Sequence, residues 1–392
     1  MKEQNMDLKI TPTFSVDRLN SSLRDKIFPG LMEREELGVF PIEIYQSLFE
    51  DGWLKSPIPK EHGGTELSTI DLVWFSRSLA YCSPGIFISC LGHILGFTSI
   101  PLYAQPELKE KLFKINSQNL QLWSFCMTEL HSGTDVQNIS TVAKKKDDRY
   151  IINGSKCFIT NASFAEHLLV FAQLTNQQGQ NIGVTAFYVP AHLKGVLRGP
   201  QSNKIGLRES NTAEIFFENV EIPKENLIGS EGAGLVILHR AIQRSKTLIS
   251  AAAVGVCDRA FDITLEHLTN RVLYGKPLIS KPVIKGLLAT LETQKEAAWL
   301  LTCQAANTWD GGDFAVKEAS MAKLFNTDMA VNYINECMEL FGAKGFMREC
   351  EVQKLYRDIK SFEIVEGASF VQQILISQHL FNSHNTTNRA VA

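Results

Sequence analysis

The chain is 392 residues long and 44% hydrophobic, enough to bury a large core and to divide into two or three domains. Its formal net charge of -3 gives no reason to expect a nucleic-acid partner, which needs a concentrated basic surface. No apolar run reaches the roughly 18 residues that span a bilayer, and the polar opening, with Glu3 and Asp7, is neither a secretory signal nor a basic transit peptide.

Residues 1–122 read as a helical domain. Segments 42–54 and 69–81 carry apolar residues at three- and four-residue spacing, and Pro41 suits the first helical position of the former. Between them, 57–64 is a Pro/Gly loop. Residues 123–229 read as a β domain. Here 150–154 predicts a strand closing on an Asn-Gly turn, with 157–160 opening its partner. Further β-branched or aromatic runs occupy 168–172, 184–189 and 213–217. In residues 230–392 the helical period returns. Ala330, Ile334, Cys337 and Phe341 form one apolar stripe, which stops at Gly342-Ala343-Lys344-Gly345, where glycine takes the left-handed cap. The tail, 382–392, reads as frayed. Helices and strands are segregated rather than alternating, so the class is α+β and a doubly wound sheet is disfavoured. Eight scattered cysteines without a CxxC pair argue against a disulfide scaffold or a metal site. They predict buried free thiols in a reducing cytoplasm.

Glu366, within Ile364-Val365-Glu366-Gly367, is a carboxylate among apolar sequence neighbours. Gly367 beside it leaves room for a ligand to approach. Desolvation disfavours the charged form and raises a carboxyl pKa, which makes a competent general base near neutral pH. A lone glutamate of this kind more often caps a helix or pairs with a cation, so its meaning depends on what lies upstream.

Five ordered motifs lie along the chain. They are Met127-Thr128-Glu129 with Gly133-Thr134-Asp135; Tyr150 onward to Phe158-Ile159-Thr160; Arg271 with Tyr274-Gly275-Lys276-Pro277-Leu278; Gly342-Ala343-Lys344-Gly345-Phe346; and Tyr356-Arg357-Asp358 followed by Glu366-Gly367. In this order and spacing the sequence resembles the acyl-CoA dehydrogenase family over essentially its whole length. The resemblance implies an N-terminal helical domain, a middle β-barrel or sandwich domain and a C-terminal four-helix bundle. It implies FAD between the last two and a homo-oligomer, dimer or tetramer. It also implies α,β-dehydrogenation of an acyl thioester, with Glu366 taking the α-proton and the β-hydrogen leaving as hydride to the flavin. The expected donors to the thioester oxygen are the Glu366 N–H and a flavin hydroxyl.

By position in these motifs, Thr128 would meet the pyrimidine side of the flavin, Thr160 its N5 region, and Phe125 and Met127 would contribute main chain. Phe158 stands where a tryptophan usually covers the flavin. Thr134 would meet the diphosphate or the substrate arm. Arg271, with Tyr274, would reach the diphosphate of a neighbouring subunit's FAD, and Gly342 and Gly345 its adenosine end. Departures cluster at that end: Pro282 and Glu339 replace glutamines, and Ala368 and Phe370 replace Thr and Gln. Gln243 and Lys246 stand where the family offers Asp and Arg to the pantetheine arm. Ser245 occupies the position that holds the base in some members and cannot serve, which leaves Glu366. The implied substrate is an acyl group on CoA or on a carrier protein, and the electron acceptor an electron-transferring flavoprotein or oxygen. An oxygen-using flavin oxidase or monooxygenase on the same fold is the alternative. The DNA-associated branch is disfavoured by the acidic balance.

Overall fold

Ser68 and Ser83 side chains accept the backbone N–H groups of Asp71 and Ile86, capping two consecutive helices in the first third of the chain. The computed structural model describes residue 8 and residues 10–389, so Glu3 and Asp7 fall outside the described residues. Seven helices come first: α1 (Val16–Ile27), α2 (Leu31–Leu37), α3 (Ile42–Glu50), α4 (Thr69–Cys82), α5 (Pro84–Thr98), α6 (Ile100–Tyr103) and α7 (Pro106–Gln118). The helix expected over 42–54 is shorter. Pro41 stands just before it, Gly52 at φ 90° breaks it, and a single 3-10 turn, Trp53–Lys55, follows.

The expectation that no segment is apolar enough to span a bilayer is corrected by α5 and α6. Together Pro84–Tyr103 have the required length and composition. Most of this stretch is buried inside the protein: Ile86, Phe87, Ile94 and Phe97 belong to the core. A helix hydrophobic all round is what a core position demands.

The middle region holds β1 (Trp123–Cys126), β2 (Val142–Lys146), β3 (Arg149–Thr160), β4 (His167–Thr175), β5 (Asn181–Pro190), β6 (Val196–Arg198), β7 (Thr212–Pro223) and β8 (Leu227–Ile228). They hydrogen-bond in the order β6-β7-β3-β2-β4-β5-β8, with β1 parallel to β4. The predicted turn at Asn153-Gly154 is absent. Both residues lie inside the 12-residue β3, at an irregularity in its pairing with β7. A hairpin turn of the expected kind needs positive φ at both central residues, and here only Gly154 has it, at φ 141°. A Cβ on Gly154 would lie 2.7 Å from Thr141, so the glycine serves close approach. The hairpin partner of β3 is β2, paired Lys146↔Arg149.

Next come α8 (Gly234–Asn270), a small hairpin of β9 (Val272–Leu273) and β10 (Lys276–Pro277), then α9 (Pro282–Asp310), α10 (Val316–Leu340), α11 (Glu351–Ile359) and α12 (Ser369–Arg389). Helices α8, α9, α10 and α12 form the four-helix bundle. The tail that reads as frayed is helical as far as Arg389. Leu79 of α4, Ala252 of α8 and Ile334 of α10 share one core, so the first and last regions are fused through α4 and α8. Charges tie in the β region at Glu209, which Arg34 of α2 reaches at 2.8 Å and Lys354 of α11 approaches to 3.8 Å; Lys354 also pairs with Asp358 at 2.7 Å, and Arg357 links α11 to Glu35 of α2 at 2.8 Å. All eight cysteines are free and buried.

Candidate active site

Glu366 sits in the short connection between a 3-10 turn, Lys360–Glu363, and α12. Five residues, 364–368, join the two. Ile364 and Val365 N–H groups both bond the Ser361 carbonyl, and Glu366 and Gly367 then take left-handed backbone at φ 57° and 87°. For a non-glycine residue that conformation costs about 1–2 kcal/mol. The result is a Glu366 N–H with no acceptor among the described residues. Ile364 points outward, 63% exposed, so the apolar neighbours in sequence are not the carboxyl's neighbours in space.

Those neighbours are Ser245 and Lys246 of α8 and Lys323 of α10. Burial pushes the Glu366 carboxyl above the usual carboxylate range, while the Ser245 hydroxyl and the two ammonium groups pull it down. The residue as a whole is half-buried, and burial is the largest influence on its carboxyl. Ser245 Oγ is buried and makes no hydrogen bond of good geometry, so the carboxyl beside it is its natural acceptor. Lys246 is 2% exposed and, among the described residues, hydrogen-bonds only Gln243 at 3.3 Å and Ser320 at 3.5 Å. Burial pushes it down to about 8, against the pull of Glu366.

The sign of that shift gives a stability prediction. Between pH 8 and the ordinary lysine value near ~10.4 the unfolded chain binds more protons than the folded one, so stability rises with pH. Below pH 8 the folded state carries the whole desolvation cost, up to about 3 kcal/mol. Lys246→Met is therefore expected to melt higher than the parent at pH 7, and thermal melts across pH 7 to 10 should show the advantage shrinking.

The predicted flavin residues gather on the β region. Phe125 lies in β1, with its ring 5.0 Å from that of Phe171. The Met127 carbonyl accepts from Lys156 Nζ at 2.9 Å, and Lys156 is itself held by Glu129 at 2.7 Å. This buried pair fixes the loop after β1, and the sequence reading missed it. The Thr128 carbonyl accepts from the Cys157 N–H at 2.9 Å, which brings Thr128 beside β3. Neither Thr128 nor Thr160 uses its hydroxyl in a hydrogen bond among the described residues. Phe158, at φ 57°, is 67% exposed on the same strand, and Thr134 is exposed in the loop after β1.

A second group lies elsewhere. Arg271, Glu339 and Gly342 line one cavity of about 620 Å³ with His267, Phe341 and Lys344, at the far end of α8. Ser245 to Asn270 spans 25 residues, roughly 38 Å of helix. One chain therefore does not bring these residues to Glu366. Burial pushes His267 down, helped by Lys344 and Arg271, and neither cation has an anionic partner among the described residues. A Cβ on Gly342 would meet nothing within 4 Å. Two unpaired cations around open backbone suit an anionic diphosphate; the Glu339 carboxylate, bonded to Asn335 at 3.0 Å, is the one discordant group. Tyr274 stands at the tip of the β9–β10 hairpin, 89% exposed, and Gly345 is buried after α10. Ala368 and Phe370 flank the start of α12, with Phe370 55% exposed. Gln243 and Lys246 are bonded to each other on α8, and Gly367 follows Glu366 directly.

Three family models match the chain in order: acyl-CoA dehydrogenase N-terminal domain over 16–115, middle domain over 124–220 and C-terminal domain over 232–381. Cyclohex-1-ene-1-carbonyl-CoA dehydrogenase of Geobacter metallireducens is 32% identical over 97% of this chain and 99% of its own. Among solved structures, butyryl-CoA dehydrogenase of Megasphaera elsdenii superposes with a TM-score of 0.89 at 29% identity, covering 95% of this chain and 100% of that one. The prolyl acyl carrier protein oxidase AnaB superposes at 0.88 with 25% identity, over 93% and 97%.

Proposed function

Since the chain belongs to the acyl-CoA dehydrogenase family and is an oxidoreductase acting on CH–CH bonds, we propose that it α,β-dehydrogenates an acyl thioester with Glu366 as the base. The observation that carries this is the Glu366 turn, with a carboxyl of raised basicity and an unpaired N–H of the same residue. The thioester carbonyl acidifies the α-carbon, and a donor aimed at its oxygen stabilises the enolate that forms as the proton leaves. Glu366 can supply both groups. Burial raises the basicity of the carboxyl, and Ser245, Lys246 and Lys323 offset part of that rise.

FAD is the cofactor this reading calls for. Thr128, Thr160, Phe125 and Met127 would hold the flavin ring beside Phe158. Bound there, it supplies two-electron acceptance of the β-hydrogen as hydride. Arg271 and Lys344 would hold the diphosphate, with Gly342 leaving room for the adenosine end. The roughly 38 Å between Ser245 and the end of α8 is beyond the reach of one extended dinucleotide. The two halves of each site then come from two chains, which makes the working form a homo-oligomer with domain limits near 122 and 229. Arg271→Ala and Lys344→Ala are each expected to weaken FAD retention about tenfold, the share of one charge-assisted hydrogen bond. Fluorescence of released flavin during dilution reads this directly.

Anaerobic titration with a panel of acyl-CoAs tests the reaction. Bleaching of the flavin band by one of them supports CoA-thioester oxidation. A second reading takes the acyl group on a carrier protein. It is favoured by Gln243 and Lys246, which bond each other in place of a carboxylate and a forked guanidinium offered to the arm. In that case only acyl-pantetheinyl carriers bleach the band. Persistence of the oxidised spectrum with both classes of thioester would sink the proposal.

A further inference from the structure

Lys323 is wholly buried on α10, 40 residues before the turn it serves. It forms no ion pair among the described residues. Its ammonium group instead donates to the carbonyl oxygens of Glu363 and Gly367, each at 2.8 Å. Those two carbonyls bracket Glu366. From the other side Gln372 of α12, also wholly buried, donates through Nε2 to the carbonyls of Gly367 at 2.6 Å and Glu366 at 3.1 Å. Its own Oε1 has no partner among the described residues, so the amide is oriented by these two bonds. Gly367 permits the arrangement, because a Cβ there would stand 2.8 Å from Gln372 Nε2.

A buried ammonium without a carboxylate partner is costly, and a left-handed glutamate is strained. Each is explained by the other. We infer that Lys323 and Gln372 are positioning residues for Glu366. By gripping the carbonyls at 363, 366 and 367 they impose the left-handed turn that frees the Glu366 N–H and directs its carboxyl to Ser245. Neither side chain needs to touch substrate. Their effect falls on the geometry of proton removal, not on the affinity for the acyl chain. The inference rests on Glu366 being the base.

The test uses full-length holoenzyme carrying Lys323→Met or Gln372→Met, substitutions that keep volume and remove the donors. Flavin content and melting curve are recorded first, and the thioester that bleaches the parent is then mixed rapidly under anaerobic conditions. The expected result is flavin reduction at least about tenfold slower at saturation, with half-saturation unchanged within about twofold. A thioester with an acidic α-hydrogen, such as acetoacetyl-CoA, should also give a weaker long-wavelength band of its enolate against oxidised flavin. Adding methylammonium to Lys323→Ala should restore part of the rate, which general loosening of the fold would not allow. If Lys323→Met does not fold, Gln372→Met carries the same readouts. Parental rates and band in both donor variants, with Glu366→Gln inactive, overturn the inference and leave the base assignment standing. A loss confined to half-saturation overturns it as well. Parental reduction by Glu366→Gln overturns the base assignment itself.

Discussion

Glu366→Gln should lose thioester-driven flavin reduction by roughly a thousandfold, the usual scale for removing a general base, while keeping its fold and its flavin. Gln preserves the size of the side chain and an acceptor facing Ser245, but it cannot take a proton. The variant should melt no lower than the parent near neutral pH. The carboxyl pKa is raised in the folded state, so the folded chain holds its proton more tightly. Stability is then lost as pH climbs from the unfolded value through the raised one, and the penalty is complete above it. An amide escapes that penalty. In the parent the reduction rate should climb with pH through the same raised value, because only the carboxylate is a base. Stopped-flow absorbance with the bleaching thioester measures both. A Gln variant that reduces at the parental rate would require another base, and Ser245, the other side-chain oxygen facing the carboxyl, has no means to act as one unaided.

Gly255→Ala should be among the most damaging small changes to the fold. In a helix interior alanine is favoured over glycine by about 1 kcal/mol, so local propensity predicts stabilisation. Packing predicts the reverse. A Cβ at 255 would stand 2.0 Å from the carbonyl oxygen of Arg77, so α4 and α8 must separate. The Arg77–Asp258 ion pair at 2.7 Å and the seat of Arg77 over Trp299 at 4.6 Å would be disturbed at the same crossing. Overpacking of this kind costs about 3 kcal/mol, and it outweighs the propensity gain. Calorimetry should show a drop of several degrees. A rise would mean that the crossing yields more easily than its geometry implies.

The helices were legible from apolar spacing, as in the stripe of α10 and in α4, although α4 proves buried on nearly every side. The β region was legible in composition but not in connectivity. Asn153-Gly154 has turn chemistry and lies mid-strand, because Gly154 is needed for the approach of Thr141. Meanwhile β2, with Lys144-Lys145-Lys146, carries no apolar alternation and owes its place to pairing with β3. At the site, Glu366 was legible because it follows a recognisable motif. The groups around it were not, since Lys246 and Lys323 come from helices brought in by the fold. One signal was available: Ala319, Ala322, Asn326 and Ala330 put Lys323 on the buried stripe of α10, where a lysine demands a reason. Glu129 and Lys156 could not be paired from sequence, because 27 residues and a strand register intervene.

The eight enclosed thiols make the chain its own reporter of local opening. Burial pushes those of Cys82, Cys126 and Cys303 up to about 12, so a thiol reagent meets almost no thiolate while the surrounding structure is closed. Cys82 and Cys90 mark the N-terminal helices, Cys126 and Cys157 the sheet, and Cys257, Cys303, Cys337 and Cys350 the closing helices and the turn into α11. Labelling at each should follow the free energy of the opening that uncovers it, from local fraying up to global unfolding. Because α4 and α8 share a core, Cys82 and Cys257 should become reactive together. Cys126 and Cys157 would follow their own schedule, set by the sheet. The order in which the chain comes apart is thus written into where its sulfur atoms lie.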